Sequence, residues 1–173
     1  MLDYNNLTMK LITSPNIVLK TKAVDWDFNT DQDAAALEVD MVKLMIDADG
    51  IGLAANQVGI LKRVFAIRLA DQVPFCMFNP KVTLASETLQ SGEEGCLSFP
   101  NLWLDINRPQ TIEAEYFDRQ GKECKITLTG IDARCFLHEL DHLDGVCFTD
   151  KISQLKLAMA IKKQRKRNGR TKR

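Results

Sequence analysis

The sequence predicts an α+β fold in which short antiparallel sheets pack around a central buried helix, with one helix before them and one after. Three observations carry this. The middle of the chain alternates apolar and polar residues in short runs closed by turn residues, as antiparallel strands do. Helical spacing of apolar residues occurs near residues 30–47, 132–144 and 153–167. The second of these segments carries apolar residues on two sides, which places it inside the domain. With 173 residues, 45% of them hydrophobic, the chain suffices for one domain, taken as residues 1–161 and followed by a basic tail at 162–173.

Residues 1–29 show little periodicity; Pro15 and the patch Ile17-Val18-Leu19 suggest an extended arm laid over the body, and Met9 offers a second translation start. The first helix is expected over 30–47, with Thr30 as N-cap, Asp31 and Asp33 in its first turn, and Leu37, Met41, Leu44 and Met45 as its apolar stripe. Next comes Gly50-Ile51-Gly52-Leu53-Ala54-Ala55-Asn56-Gln57-Val58-Gly59, small-residue backbone suited to a connector or to close approach by another chain. No lysine follows these glycines, which argues against a phosphate cradle.

A strand is expected at 62–69, with Phe65, Ile67 and Leu69 on one face, then short strands at 75–78 and 81–85 broken by Asn79-Pro80. Glu93-Glu94-Gly95-Cys96-Leu97-Ser98-Phe99-Pro100 is too irregular for a helix, and its cysteine, taken alone, reads first as a buried structural thiol, with a ligand as the alternative. Residues 111–117 and 123–129 form a hairpin around Asp118-Arg119-Gln120-Gly121. The central helix is expected over 132–144, with Asp132 as N-cap and Gly145 just past its end; Phe136, Leu140 and Leu143 form one stripe, and the histidines share the other side with Ile131 and Cys135. The last helix starts amphipathically through Leu155, Leu157, Ala158, Met159 and Ile161.

Net charge is zero, but residues 151–173 hold ten Lys/Arg and no acid, so 13 (23 − 10) basic residues face all 23 acids in residues 1–150. Such a tail is either a solvated end or a phosphate-binding arm. No run is long and apolar enough for a membrane span and no leader pattern opens the chain, so a cytoplasmic protein is expected. Five irregularly spaced cysteines then read as reduced thiols.

The chemistry concentrates in the central helix. The chain's two histidines stand in His138-Glu139-Leu140-Asp141-His142, the H-E-x-x-H pattern. On a helix, positions i and i+4 lie one above the other, so both imidazoles reach one ion while the glutamate projects beside it. That arrangement suits metal-assisted hydrolysis; two surface histidines on a helix is the plain alternative.

Taken together, Gly50-Ile51-Gly52-Leu53-Ala54-Ala55-Asn56-Gln57, Glu94-Gly95-Cys96-Leu97-Ser98 and His138-Glu139-Leu140-Asp141-His142 resemble the three signature stretches of the peptide deformylases, in the same order. The resemblance runs from about Met9 to the last helix and implies that family's fold. It implies removal of the N-formyl group from the initiator methionine of nascent chains. Cys96, His138 and His142 would bind one divalent metal, ferrous iron in this family and replaceable by nickel, cobalt or zinc. Glu139 would be general base and acid, and Gln57 and the Leu97 N–H would be oxyanion donors. Substrate backbone would pair with Gly52 and Gly95, and the methionine side chain would enter a pocket of Ile51, Ile131, Arg134 (through its stem) and Cys135. The resemblance further implies a monomer whose basic C-terminal helix docks on the ribosome. Leu137 departs from the Gln usual in the family, and Phe99 and Trp103 are bulkier than expected there. A zinc endopeptidase would leave Cys96 without a use, and an RNA-binding protein with a structural metal would leave Glu139 without one.

Overall fold

The computed structural model describes residues 9–31, 33–70 and 72–170, with side chains as far as residue 164. The segment before Met9, and with it the choice of start, lies outside the described residues. The element order is α1 (Ala34–Asp47), β1 (Gly52–Ala54), β2 (Val64–Ile67), β3 (Phe75–Ala85), β4 (Leu89–Cys96), β5 (Phe99–Pro109), β6 (Thr111–Phe117), β7 (Glu123–Thr129), α2 (Gly130–Leu143) and α3 (Gln154–Arg170). Five strands form one antiparallel sheet in the order β1-β2-β3-β6-β7, and β4-β5 is a separate two-stranded hairpin sheet inserted between β3 and β6. The α+β expectation holds.

Strand β2 shows how the sequence builds this. All four residues of Val-Phe-Ala-Ile are buried because the sheet is covered on both faces. Phe65 and Ile67 point toward α2, where Phe136 meets Phe65 edge-on at 5.2 Å. Val64 and Ala66 point the other way, into a cluster with Met41 and Met45 of α1. Helix α2 is thus enclosed, with Phe136 and Leu143 fully buried toward the sheet and its histidine side turned to the β4-β5 hairpin. Phe136→Ala would cost about 3–5 kcal/mol by leaving a cavity at this junction.

Several expectations need correction. Helix α1 begins at Ala34: Asp33 caps it, accepting from Ala35 N at 2.9 Å and Ala36 N at 3.2 Å, while the Thr30 hydroxyl donates to Asp27 in the preceding turn. The strand expected at 62–69 is shorter, Val64–Ile67. The two strands expected around Asn79-Pro80 are one, β3, because a register shift between Phe78 and Lys81 and a positive φ of 47° at Asn79 absorb the proline as a bulge. Helix α2 starts at Gly130 with Thr129 as N-cap, and Asp132 instead accepts from Ala70 N at 3.3 Å. Gly145 does follow the helix in the left-handed region, φ 73°. In α3 the packed stripe is Leu157, Ala160 and Ile161, against β5 and Phe148, whereas Leu155 and Met159 are exposed.

The segment before α1 is an arm as expected, with a short 3-10 turn at Ile17–Lys20 that buries Leu19. It is tied down by Ile12 N to Gln57 O at 2.7 Å, Ser14 N to Ser98 O at 2.9 Å and Ala23 N to Leu143 O at 2.8 Å. These bonds join the arm to the first two signature stretches and to the end of α2, just past the third. All five cysteines are free thiols. Among the described residues no helix is long and apolar enough to cross a membrane.

Candidate metal centre and active-site pocket

Helix α2 carries His138 and His142 one turn apart, with ring centroids 5.0 Å from each other. Strand β4 ends on Cys96, just before the turn Leu97-Ser98, and the hairpin brings this thiol over the helix. Its Sγ lies 3.2 Å from His142 Nε2, and one ligand atom from each of Cys96, His138 and His142 falls within 4.8 Å of the other two. Around an ion with sulfur at about 2.3 Å and nitrogen at about 2.0 Å, tetrahedral ligand atoms sit roughly 3.5 Å apart. The three residues therefore fit a metal ion. One soft thiolate and two imidazoles suit iron, cobalt, nickel or zinc, not calcium or magnesium.

A buried polar network holds these ligands. Glu94 Oε2 lies 2.9 Å from His138 Nδ1. Arg108 grips Glu94 with two parallel bonds of 2.9 Å, and Arg134 adds a third at 2.8 Å. Asp141, between the histidines, accepts from Arg108 at 2.5 Å and from Lys151 at 2.8 Å. Asn56 Nδ2 donates to His142 O at 2.6 Å, tying the glycine-rich stretch to the helix. Burial alone would raise the Glu94 pKa, but the bonds and charges of Arg108 and His138 outweigh it and bring it down to about 2. An ionised carboxylate only accepts, so His138 donates from Nδ1, which leaves Nε2 as the nitrogen on the side of Cys96.

The two histidines differ electrostatically. Burial disfavours charge on both, yet bonds from Cys96 and Glu94 push His138 up to about 10, while burial and the His138 charge hold His142 well below its ordinary value. A cation entering this site displaces the His138 proton. Glu139 is also buried, and its pKa is pushed up to about 7, first by burial and then by the charge of Glu94, with His138 opposing. Its Oε2 is buried with no hydrogen-bond partner, and so is His142 Nδ1. Buried, with Oε2 unpartnered and a pKa near neutral, the Glu139 carboxylate is poised to exchange a proton.

Eleven of the twelve site residues expected from the sequence line one pocket of about 490 Å³: Ile51, Gly52, Gln57, Gly95, Cys96, Leu97, Ile131, Arg134, Cys135, His138 and Glu139. His142 sits behind Cys96. Gln57 is fixed at both ends of its amide, Oε1 accepting from Ala54 N at 2.8 Å while Nε2 donates to Ser98 Oγ at 3.0 Å and faces Cys96 Sγ at 3.5 Å. Gly52 is glycine for a local reason: a Cβ there would stand 2.3 Å from Glu139 Oε1. At Gly95 a Cβ would meet the Trp103 ring at 3.0 Å. Ile131 is 57% exposed and forms part of the rim, not of the interior. Arg134 offers the pocket only its stem, because its guanidinium also binds the carbonyls of Gln90, Gly92 and Ile106 and so staples the hairpin to α2. Leu137 packs on the α2 core cluster.

Glu94, Arg108, Asp141 and Asn56 escaped the sequence reading. The signal for Glu94 was its place two residues before Cys96, on the same face of a strand.

Comparison with known proteins agrees with this geometry. The family profile described as polypeptide deformylase matches residues 8–158. The peptide deformylase of Rhizobium meliloti is 41% identical over 162 residues, covering 91% of this chain and 92% of that protein. That of Maricaulis maris is 42% identical over 161 residues, with the same coverage. The crystal structure of a peptide deformylase from Legionella pneumophila superposes with a TM-score of 0.84 at 32% identity, covering 96% of this chain and 99% of the other. A peptide deformylase from Synechococcus elongatus in complex with actinonin gives a TM-score of 0.83 at 36% identity, covering 90% and 87%.

Proposed function

We propose, on the premise that this chain belongs to the polypeptide deformylase family, that its pocket removes the formyl group from N-formylmethionyl peptides and releases formate. The observation carrying this is the Cys96, His138, His142 cluster beside the Glu139 carboxylate, whose Oε2 has no partner. A divalent cation on those three residues supplies Lewis-acid chemistry, acidifying water and polarising the formyl oxygen. Ferrous iron is the ion we assign, as the family resemblance implies, with zinc, nickel or cobalt able to replace it.

Glu139 takes the proton from the attacking water and delivers it to the departing amine. Its environment supports both roles, since a carboxyl pushed up to about 7 is part protonated and part ionised near neutral pH. As oxygen charge develops on the formyl group, the Gln57 amide and the Leu97 N–H donate to it. The anchoring of Gln57 Oε1 on Ala54 N supports this, because it leaves Nε2 directed at the cluster. Leu97 opens the turn between Cys96 and Phe99, where its N–H is not used in the strand pairing.

Strands β1 and β4 each leave one edge unpaired within their sheets, and both line the pocket. An extended peptide entering between them pairs its backbone near Gly52 and Gly95, with its methionine side chain against Ile51, Ile131, Cys135 and the stem of Arg134. We further infer a cytoplasmic monomer in which residues 1–161 are the catalytic domain and the basic segment 162–173, which lies in α3 as far as Arg170, is a ribosome-docking arm. Packing of Leu157, Ala160 and Ile161 on β5 supports that arm, since it leaves Lys156, Lys162 and Lys163 on the open side.

The test is formate release from formyl-Met-Ala-Ser by anaerobically prepared protein, with metal content measured on the same sample. Release that scales with one bound metal per chain is expected. A metal-loaded protein that leaves the formyl peptide intact would overturn the proposal.

A further inference from the structure

The N-terminal arm meets the pocket wall from behind at two carbonyls, and both belong to the segments that carry the oxyanion donors. Ile12 N donates to Gln57 O at 2.7 Å, and Ser14 N donates to Ser98 O at 2.9 Å. Gln57 Nε2 in turn donates to Ser98 Oγ at 3.0 Å. With the covalent link from Ile12 to Ser14, these bonds close a ring through Ile12, Gln57, Ser98 and Ser14. Gln57 and Ser98 are both buried, so water competes little for their bonds. The ring joins parts that sheet pairing leaves separate. Gln57 lies in a 3-10 turn, Ala55–Val58, that follows β1 of the five-stranded sheet, whereas Leu97 and Ser98 form the turn of the two-stranded one. Two residues of chain reach at most about 7 Å, so the Gln57 and Ser98 carbonyls cannot part while the arm holds both. Met9 and Leu11 seat the arm, half-buried against the apolar cluster on which Val58 and Leu97 also pack.

We propose that residues 9–14 of the arm are a positioning element for the oxyanion donors, acting through the N–H groups of Ile12 and Ser14 and the hydroxyl of Ser98. None of these three residues lines the pocket, so they work through Gln57 and Leu97. Oxyanion donors are effective only when fixed in advance at the place where charge develops. The Gln57 amide has two N–H protons; Ser98 Oγ takes one and so aims the other at the formyl oxygen. The Ile12 bond fixes the peptide that carries this side chain, and the Ser14 bond fixes the turn that carries the Leu97 N–H. Loosening the ring by about 1 Å would cost on the order of 100-fold in turnover. This inference rests on the deformylase reading, since it assigns what holds that reaction's oxyanion donors in place.

The test is a double-mutant cycle on formyl-Met-Ala-Ser hydrolysis by the metal-loaded full chain. Ile12→Pro deletes the N–H that holds the Gln57 carbonyl, and Ile12→Val keeps it. Ile12→Pro should lower kcat by about tenfold to 100-fold with KM and metal content nearly unchanged, while Ile12→Val keeps the unaltered kcat. In a Gln57→Ala background the same Ile12→Pro change should lower kcat by about threefold or less, because the donor it places is already gone. An arm that merely stabilises the fold gives equal losses in both backgrounds; that result, or an unchanged kcat in Ile12→Pro, overturns the proposal. Ser98→Ala, run through the same cycle, should show the same loss only where Gln57 is present, and it decides the matter if Ile12→Pro fails to fold. Amide exchange in the unaltered zinc-loaded protein adds a check that needs no variant: the Ile12 and Ser14 amides should exchange about 100-fold or more slowly than in a free peptide. Exchange at the free-peptide rate overturns the clamp. No formate from formyl-Met-Ala-Ser with the unaltered protein would instead overturn the deformylase reading, so the two failures are distinct.

Discussion

Glu94 accepts from His138 Nδ1 at 2.9 Å with one carboxylate oxygen, and its other oxygen is held by Arg108 and Arg134. The metal-facing nitrogen of His138 is therefore set by a residue that never touches the metal. Glu94→Gln should lower metal affinity by about 10–100-fold, as loss of a carboxylate partner to a ligating histidine does. Competition against a chelator at fixed pH measures this. An unchanged affinity would mean that packing alone orients His138.

The same carboxylate makes stability pH-dependent. Its pKa falls from an ordinary 4.5 to about 2 on folding, so the unfolded chain binds the proton more readily. Its contribution is full above about pH 4.5 and is lost as pH falls toward 2. Urea midpoints of the chelator-treated protein should drop over that window, and Glu94→Gln should show a shallower drop from a lower starting stability. Removing the carboxylate charge between two buried arginines, of which Arg108 keeps Asp141, costs about 3–5 kcal/mol at neutral pH.

Glu139→Gln separates binding from chemistry. The variant should keep one metal per chain, since Glu139 is not among the three clustered ligands, and lose about two to four orders of magnitude in kcat. Elemental analysis and a formate assay on one preparation check both parts.

Gly52→Ala should inactivate at a distance from the ligands. Its new Cβ would come within 2.3 Å of Glu139 Oε1, and β1 is pinned to β2 in register. The carboxylate must then move. A loss of about 100-fold in kcat with metal content unchanged is expected, because misplacing a catalytic group by about 1 Å has that effect. Activity retained in full would show that β1 can retreat.

Gln57→Ala tests the oxyanion donor. Removing one such donor typically lowers kcat by about 10²–10³. The variant also loses the Oε1 bond to Ala54 N, so a thermal melt should accompany the kinetics. Near-normal kcat in a folded variant would remove Gln57 from the mechanism.

Much of this was legible before folding because its signals are local. The four-residue spacing of His138 and His142 fixes their shared face whatever surrounds the helix. Gly52, Gly95 and Cys96 stood out as small or soft residues in unusual runs. The β4-β5 hairpin was not anticipated: Glu93, Glu94 and two glycines conceal β4, although Leu102, Leu104 and Ile106 alternate in β5 with all three buried. The roles of Glu94 and Arg108 are tertiary. A buried carboxylate gripped by two arginines reads in sequence like three ordinary surface charges, and only the fold brings them together. Asn79-Pro80 misled for the opposite reason, since a bulge lets β3 carry a proline that usually ends a strand.

A deformylase hydrolyses the formyl amide at the Cys96, His138, His142 pocket and leaves an ordinary peptide bond intact. Product analysis by mass spectrometry on formyl-Met-Ala-Ser and unformylated Met-Ala-Ser, incubated with freshly prepared ferrous protein, tests it most directly. Formate and intact Met-Ala-Ser are expected from the first peptide and no reaction with the second. Cleavage between Met and Ala in either peptide, without formate, would contradict it.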